Sequence, residues 1–282
     1  MSTKPKFSTL FIIGLGHSGS TLLGRMLGCH PDAVFVGELL RLEQALGRSQ
    51  ARCSCGDLVA ECPVWQRRIE SLPKGVRNDL QHWTLEAIEK LRNAENKALL
   101  VDSSKSRVLR LKSKWKSPQA GYVLLVRDPR GALRSALQDG VNLQKILGSS
   151  RKWMQRYEEF VQRRPDVCLT MFYEDLTTST ETELRRLCEF VGLNFTPALC
   201  HPDQQSFHLI RASRSGYLKD TGRLKADERW RSTLTPQQME TIGRSLGNLA
   251  IYRDRYRLVE AQTAGAGRDW LQQLLKKLQG KH

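Results

Sequence analysis

The sequence lacks the long apolar run that a membrane-spanning helix needs. No stretch of its 282 residues approaches the roughly 18 consecutive apolar residues of a span. The segment from Met1 to Phe7 also lacks the apolar core of a secretory signal. We therefore expect a soluble protein of the cytoplasm. With 40% hydrophobic and 26% charged residues, the chain can bury a sizeable core.

Acidic residues are scarce in comparison with basic ones. The chain has 29 Asp and Glu against 45 Lys and Arg, a formal net charge of +16. This excess favours anionic partners such as nucleic acid, an acidic membrane face, an acidic glycan or a multiply phosphorylated cofactor. The basic residues are spread along the chain, and no nucleic-acid-binding motif is present, so we expect no nucleic-acid partner.

The seven cysteines are odd in number, which argues against a fully paired disulfide framework. Cys53, Cys55 and Cys62 cluster in the segment CSCGDLVAEC, one ligand short of a four-coordinate structural zinc site. Cys29 or a nearby histidine could complete such a site. The other explanation is a plain structural loop, which we favour, and we predict no metal ligand in the functional site.

Short apolar runs alternate with helical patterns along the chain. The runs are typical of buried parallel strands, and the patterns between them are long enough for crossover helices. The alternation predicts an α/β fold with a parallel sheet flanked by helices. The predicted strands are 9–15, 33–36, 98–101, 121–126 and 167–172, and the predicted helices after the first are 79–95, 129–137, 143–163 and 180–191.

The organisation predicted from composition is one domain over residues 1–260, followed by a linker and an amphipathic helix over 261–282. The small-residue stretch 263–267 (TAGAG) is typical of a linker. In the segment that follows, Trp270 and several leucines share one helical face. We favour docking of this helix on the body over contact with a membrane surface or with a partner protein. The oligomeric state is left open.

A glycine-rich loop follows the first predicted strand and opens a helix. Glycines let successive backbone N–H groups turn inward, and the helix N-terminus adds the positive end of its dipole. A tight turn that needs glycine is the alternative explanation. The pattern favours an anion-binding loop of the P-loop type, formed by Gly16, His17, Ser18, Gly19, Ser20, Thr21 and Leu22.

Ser20 stands where a nucleoside-triphosphatase loop requires lysine. Without that lysine, binding of a triphosphate with magnesium becomes a poorer explanation of the loop. A small-molecule kinase that uses ATP is nevertheless retained as the alternative function.

Two longer segments carry a resemblance to a known family. Residues 14–38 (GLGHSGSTLLGRMLGCHPDAVFVGE) and 123–137 (VLLVRDPRGALRSAL) resemble the 5′-phosphosulfate loop and the 3′-phosphate site of the sulfotransferase superfamily, in its branch of bacterial and tyrosylprotein sulfotransferases. Similar shorter pieces are VDSSK, CSCG, CPVW and FYEDL. The resemblance implies the sulfotransferase fold. It also implies the nucleotide 3′-phosphoadenosine 5′-phosphosulfate as donor, and transfer to an acceptor hydroxyl without a metal.

The resemblance also implies roles for residues. Arg127 and Ser135, eight residues apart, are expected at the 3′-phosphate. Glu38 is expected to be the general base. Lys105 and the loop are expected at the leaving oxygen. His17 stands where the family usually has arginine or lysine, and it is the second candidate for the base.

The acceptor is expected in a pocket built from the segments 41–65 and 201–229. A positive surface favours a carbohydrate or another small molecule over a neutral lipid. Peptidyl tyrosine stays open, because the branch includes enzymes that act on it. A relative that keeps the nucleotide site but has lost activity is a further alternative, because His17 departs from the family pattern.

Overall fold

A computed structural model describes residues 5–48, 50–73, 85–105, 108, 119–210, 225–256 and 258. The chain divides into two compact units. The first comprises Met1–Arg127 and Arg156–Asp227, and the second comprises Asp128–Gln155 and Glu228–His282. One domain over residues 1–260 stays a prediction. The predicted linker and terminal helix at 261–282 lie outside the described residues.

The first unit contains a parallel sheet, which confirms the predicted α/β class. Its described strands follow the order β2-β3-β1-β4-β5, and every neighbouring pair is parallel. Each coincides with a predicted strand to within two residues at either end. They are β1 (Thr9–Ile13), β2 (Ala33–Phe35), β3 (Leu99–Asp102), β4 (Ala120–Val126) and β5 (Cys168–Phe172).

Helices connect and flank the strands, and those predicted at 129–137, 143–163 and 180–191 are confirmed. The described α-helices are α1 (Ser20–Gly28), α2 (Leu42–Leu46), α3 (Pro63–Ser71), α4 (Leu85–Ala94), α5 (Pro129–Gln138), α6 (Leu143–Arg163), α7 (Tyr173–Thr178), α8 (Thr180–Val191), α9 (Trp230–Thr233), α10 (Pro236–Leu246) and α11 (Ala250–Tyr256). Short 3₁₀ helices span Leu39–Arg41 and Pro197–Cys200. Within the described part of the chain, no helix is long and apolar enough to cross a membrane.

The sheet forms the core of the first unit. Every residue of β1, β3 and β4 is buried, as expected for central strands covered by helices on both faces. The chain leaves β1 toward β2 on one side and leaves β4 toward β5 on the other. The carboxyl ends of β1 and β4 therefore form a topological switch point, the place where open α/β sheets bind ligands.

In the second unit, α5 begins at a cap that the sequence specifies. Pro129 occupies the first helical turn, and the Asp128 carboxylate accepts a hydrogen bond from the Arg130 backbone N–H at 2.8 Å. The Arg130 guanidinium lies 4.1 Å from the centroid of the Trp230 ring, and Arg134 Nε donates to Thr233 Oγ1 at 3.2 Å. Cation–π and hydrogen-bond contacts thus join α5 to α9.

Candidate active site

The loop after β1 requires glycine at two positions. Gly14 has φ 148°, and a Cβ there would lie 2.5 Å from the Leu125 carbonyl oxygen on β4. Gly19 has φ 93°, and a Cβ there would lie 2.6 Å from the Tyr173 ring. A side chain at either position would clash with its neighbour and strain the backbone. The glycines therefore let the loop pass close to β4 and α7.

The same loop can hold an anion. Gly19 is the N-cap of α1 and contributes no side chain to cap it, and the first-turn N–H groups of a nine-residue helix have no intrahelical acceptor. Ser18 Oγ is buried and has no hydrogen-bond partner among the described residues. A buried hydroxyl without a partner is costly, and a bound phosphate oxygen would supply one. These features fit the 5′-phosphosulfate expected at residues 16–22.

Two predicted catalytic residues have an unusual backbone conformation. Among the described non-glycine residues, φ is positive only at His17 (62°), Asn96 (51°) and Lys105 (57°). The left-handed region costs a side-chain-bearing residue roughly 1–2 kcal/mol. Such strain clusters at functional sites, where the surrounding structure maintains it. His17 is exposed and Lys105 is partly buried, so both side chains can reach a ligand.

Arg127 holds the loop from the end of β4. Its guanidinium is almost fully buried and donates to the His17 carbonyl oxygen at 2.9 Å. It also forms an ion pair with Asp227, whose carboxylate Oδ2 lies 3.0 Å from Nη2. Arg127 therefore lies at the switch point, beside the loop. One of its N–H groups donates a hydrogen bond to the Asp227 carboxylate.

Two partners of Arg127 could not be predicted from the sequence. The first is Tyr173, whose ring centroid lies 4.5 Å from Cζ of the Arg127 guanidinium. The second is Asp227, whose backbone N–H also donates a hydrogen bond to the Tyr173 hydroxyl at 3.3 Å. Asp227 is far from Arg127 in sequence, so no spacing pattern could have paired them. Tyr173 belongs to FYEDL, which contributed to the family resemblance without an assigned role.

Glu38 and Lys105, which follow β2 and β3, form an ion pair in the first unit. The Lys105 ammonium lies 2.5 Å from Glu38 Oε1, and Arg41 Nε donates to Glu38 Oε2. Burial raises the pKa of Glu38, but the charges and hydrogen bonds of Lys105 and Arg41 lower it by more, so this pKa lies below its ordinary value. Glu38 is thus an ionised carboxylate held between two cations. Arg41 was not predicted to contact Glu38, although Glu38 is the N-cap of the short 3₁₀ helix that contains Arg41.

Backbone hydrogen bonds between the segments after β2 and β3 position this pair. The Ser103 N–H donates to the Gly37 carbonyl at 2.8 Å, and the Leu40 N–H donates to Ser104 Oγ at 3.0 Å. Because both strands end at the same edge of the sheet, their following residues meet there. Glu38, Lys105, Arg127 and the loop therefore all follow carboxyl ends of neighbouring strands, as the parallel topology requires.

Asp102 is a buried acid that the sequence analysis did not assign. It is 0% exposed, and its Oδ1 accepts from the Ser104 N–H, while Oδ2 has no partner within the described ranges. Burial raises the pKa of Asp102 to about 7, against the opposing effect of the hydrogen bonds from Ser104. This carboxyl stabilises the turn that leads to Lys105. Because Asp102 is fully buried, it cannot contact an acceptor substrate.

Ser135 lies on α5 in the second unit, where its hydroxyl donates to the Gly131 carbonyl at 3.3 Å. Its pairing with Arg127 at a 3′-phosphate stays a prediction. Part of the segment predicted to line the acceptor pocket, residues 211–224, lies outside the described residues.

Comparison with known sequences identifies a family. Residues 9–197, about two thirds of the chain, match the model of a sulfotransferase family. Protein-tyrosine sulfotransferase 1 of Danio rerio is 27% identical over 210 residues, which are 69% of this chain and 56% of that protein. Protein-tyrosine sulfotransferase A of Caenorhabditis elegans is 26% identical over 209 residues, 69% of this chain and 52% of that protein. The chain spans about half the length of these curated relatives.

Comparison with solved structures supports the fold. The sulfotransferase domain of the Synechococcus PCC 7002 olefin synthase superposes with a TM-score of 0.62 at 22% identity, covering 86% of this chain and 97% of that one. A mouse sulfotransferase complexed with PAP superposes with a TM-score of 0.53 at 12% identity, covering 88% of this chain and 87% of that one. The parallel sheet and its flanking helices are therefore a sulfotransferase fold.

Proposed function

This chain belongs to the sulfotransferase family, and we propose that it transfers a sulfonyl group from 3′-phosphoadenosine 5′-phosphosulfate to an acceptor hydroxyl by in-line displacement. One observation carries the proposal: an anion-binding loop, a buried arginine and a carboxylate–lysine pair all follow the carboxyl ends of neighbouring strands. Membership of the family supports the choice of donor.

The loop and Arg127 would bind the donor. Residues 18–22 present backbone N–H groups and hydroxyls to the 5′-phosphosulfate, and Arg127 supplies fixed positive charge for the 3′-phosphate. Bound there, the donor supplies the sulfonyl group and leaves as adenosine 3′,5′-bisphosphate. Ser135 as a second ligand of the 3′-phosphate is a proposal from sequence alone.

Glu38 would accept the proton of the acceptor hydroxyl. Lys105 and Arg41 hold the pKa of Glu38 low, which weakens it as a base. If the Lys105 ammonium turns to the oxygen that leaves sulfur, Glu38 loses one cation, and its pKa rises. Donor binding would thus strengthen the base, while the same ammonium stabilises the charge that develops on the leaving phosphate. The exposed His17 remains the second candidate for the base.

We propose that transfer needs no metal, because Lys105 and the loop N–H groups supply the positive charge that magnesium provides in kinases. Added magnesium should therefore leave the rate of transfer unchanged. A small-molecule kinase is not favoured by the family match, and Ser20 stands in place of the lysine that such a loop requires.

The acceptor is proposed to be a carbohydrate or another small molecule. The net charge of +16 favours an anionic acceptor. Peptidyl tyrosine is the second candidate, because curated relatives at 22–27% identity carry the name protein-tyrosine sulfotransferase. A transfer assay with a radiolabelled donor and one acceptor of each class distinguishes them. Location in the cytoplasm and absence of a nucleic-acid partner stay predictions.

Calorimetric titration with adenosine 3′,5′-bisphosphate tests the proposal without knowledge of the acceptor. The controls are 5′-AMP, which lacks the 3′-phosphate, and ATP with magnesium. We expect the bisphosphate to bind much more tightly than either control. Preference for ATP with magnesium would refute the sulfotransferase proposal and support the kinase.

A further inference from the structure

The structure brings the three clustered cysteines together with a histidine. Cys53, Cys55 and Cys62 lie with His208 so that their four candidate ligand atoms are all within 4.8 Å of one another. His208 is about 150 residues from the cysteines in the sequence, so their spacing could not reveal it. Cys29, the other ligand considered from the sequence, is outside this group, and its thiol donates to the Arg25 carbonyl instead.

We propose that these residues form a structural zinc site of the Cys₃His type. In tetrahedral zinc sites, bond lengths of about 2.3 Å to sulfur and about 2.0–2.1 Å to nitrogen place two sulfurs about 3.8 Å apart and a sulfur and a nitrogen about 3.6 Å apart. Here Cys55 Sγ lies 3.8 Å from Cys62 Sγ, and His208 Nδ1 lies 3.7 Å from Cys53 Sγ and 3.2 Å from Cys62 Sγ. Two of these separations match the edges of that tetrahedron, the contact between His208 and Cys62 is about 0.4 Å shorter than its edge, and no pair of the four ligand atoms is more than 4.8 Å apart.

The backbone around the cluster forms a compact loop. The Cys53 N–H donates to the Asp57 carbonyl at 2.8 Å, and the Gly56 N–H donates to the Cys53 carbonyl at 3.0 Å. Gly56 has φ 108°, which turns the chain between Cys55 and Cys62. Cys62 is the N-cap of α3. The three cysteines therefore converge without the 2 Å approach that a disulfide requires, and all three are free thiols.

The histidine is held by contacts other than a metal. The Ser54 N–H donates to the Leu209 carbonyl at 3.0 Å, and the Leu209 N–H donates to Ser54 Oγ at 2.9 Å. The buried guanidinium of Arg68 donates to the His208 carbonyl at 2.9 Å. These hydrogen bonds hold the backbone of residues 208 and 209 beside the cysteine loop, where the His208 ring lies against the Cys53 and Cys62 sulfurs.

The ligand set is chemically suited to zinc. Thiolates select borderline-soft metals, and four protein ligands in a tetrahedron leave no open position for catalysis. Zinc with three thiolates would carry a net charge of −1. Arg52, which donates to the Gly56 carbonyl at 2.8 Å, is a cation on the same loop, whereas Arg68 is already paired with Glu95 and the Asp57 carboxylate lies 3.4 Å from Cys55 Sγ. The site is therefore structural.

Zinc at this site would hold the segment 207–210 against the site described above. Ile210 forms β-bridges both with Cys53 and with Gly37, the residue that precedes Glu38. The metal would thus fix one wall beside Glu38, and this consequence for catalysis rests on the proposed function. Metal content itself can be measured without any assumption about the reaction.

The test is elemental analysis of the full chain, expressed with added zinc and purified with a reductant and without chelators. We expect about one zinc ion per chain, and visible absorption bands of a tetrahedral thiolate site after replacement by Co²⁺. Cys55→Ser and His208→Ala should lose the zinc and the Co²⁺ bands. Cys55 is exposed, so its substitution removes no core packing and the sheet should still form, which circular dichroism checks.

Three matched variants sharpen the test. His208→Cys should retain zinc, because a fourth thiolate completes the tetrahedron. Cys200→Ser and His201→Ala, which lie outside the cluster, should bind as much zinc as the wild type. A wild-type protein without zinc and without Co²⁺ bands would overturn the proposal. So would iron in place of zinc, a Cys55–Cys62 disulfide found by mass spectrometry, or full zinc content in Cys55→Ser.

Discussion

The loop after β1 and the ionic cluster after β2 and β3 lie at one edge of the same sheet, but they are built differently. The loop is made of backbone, and its shape depends on Gly14 and Gly19, where side chains would clash. The ionic cluster consists of the side chains of Glu38, Lys105 and Arg41. A backbone cradle is fixed before a ligand binds, whereas an ion pair can exchange partners when one arrives. The loop is therefore suited to binding and the ionic cluster to proton transfer.

The largest expected effect separates these two roles. Glu38→Gln keeps the shape of the side chain but removes the base, so turnover should fall by about 10²–10⁴-fold. Affinity for adenosine 3′,5′-bisphosphate should remain close to the wild-type value, because the loop is unchanged. Kinetics of the transfer reaction and calorimetry measure both quantities, with Glu61→Gln at an exposed position as the control. Near-normal turnover would exclude Glu38 as the base.

The second effect concerns Arg127. Arg127→Ala should weaken binding of adenosine 3′,5′-bisphosphate by about 10–100-fold, since a charge-assisted hydrogen bond contributes about 1.5–3 kcal/mol. The affinity for 5′-AMP, which has no 3′-phosphate, should fall less, and only because Arg127 also donates a hydrogen bond to the loop at the His17 carbonyl. Asp227→Asn is the matched control: it removes the carboxylate that competes for Arg127, so binding should be retained or tightened. Equal losses for both nucleotides would refute the assignment of Arg127 to the 3′-phosphate.

The third effect tests the backbone of the loop by two similar substitutions. Gly14→Ala introduces a Cβ 2.5 Å from the Leu125 carbonyl and should lower the free energy of unfolding by about 1–3 kcal/mol. At Gly16 a Cβ meets nothing within 4 Å, so Gly16→Ala should leave that free energy nearly unchanged. Urea denaturation followed by circular dichroism compares the two. Equal stability would contradict the close approach of the loop to β4.

The smallest effect is a shift in pH dependence. Arg41→Gln removes one of the two cations that lower the pKa of Glu38, so that pKa should rise. A base must be deprotonated to act, and activity is lost as the pH falls through its pKa. The acid limb of the kcat/KM profile should therefore move to higher pH, by up to about one unit. An unmoved acid limb would show that Glu38 does not control it.

The contrast between the two regions also explains what could be predicted from the sequence. The sheet was predictable because buried parallel strands are short continuous apolar runs, and the loop because its glycines and its position between strand and helix are local features. Asp227 and Tyr173 at Arg127, and His208 at the cysteines, were not, because each contact joins segments far apart in the chain. Lys105 was predicted as a site residue, but its ion pair with Glu38 could not be, because it depends on how the turns after β2 and β3 meet.

The most direct test of the two roles is a crystal structure of the protein with adenosine 3′,5′-bisphosphate. We expect the 5′-phosphate on the backbone N–H groups of residues 18–22, and the Lys105 ammonium turned from Glu38 toward that phosphate. A nucleotide bound away from the loop, or Lys105 still paired with Glu38 in the complex, would contradict the account.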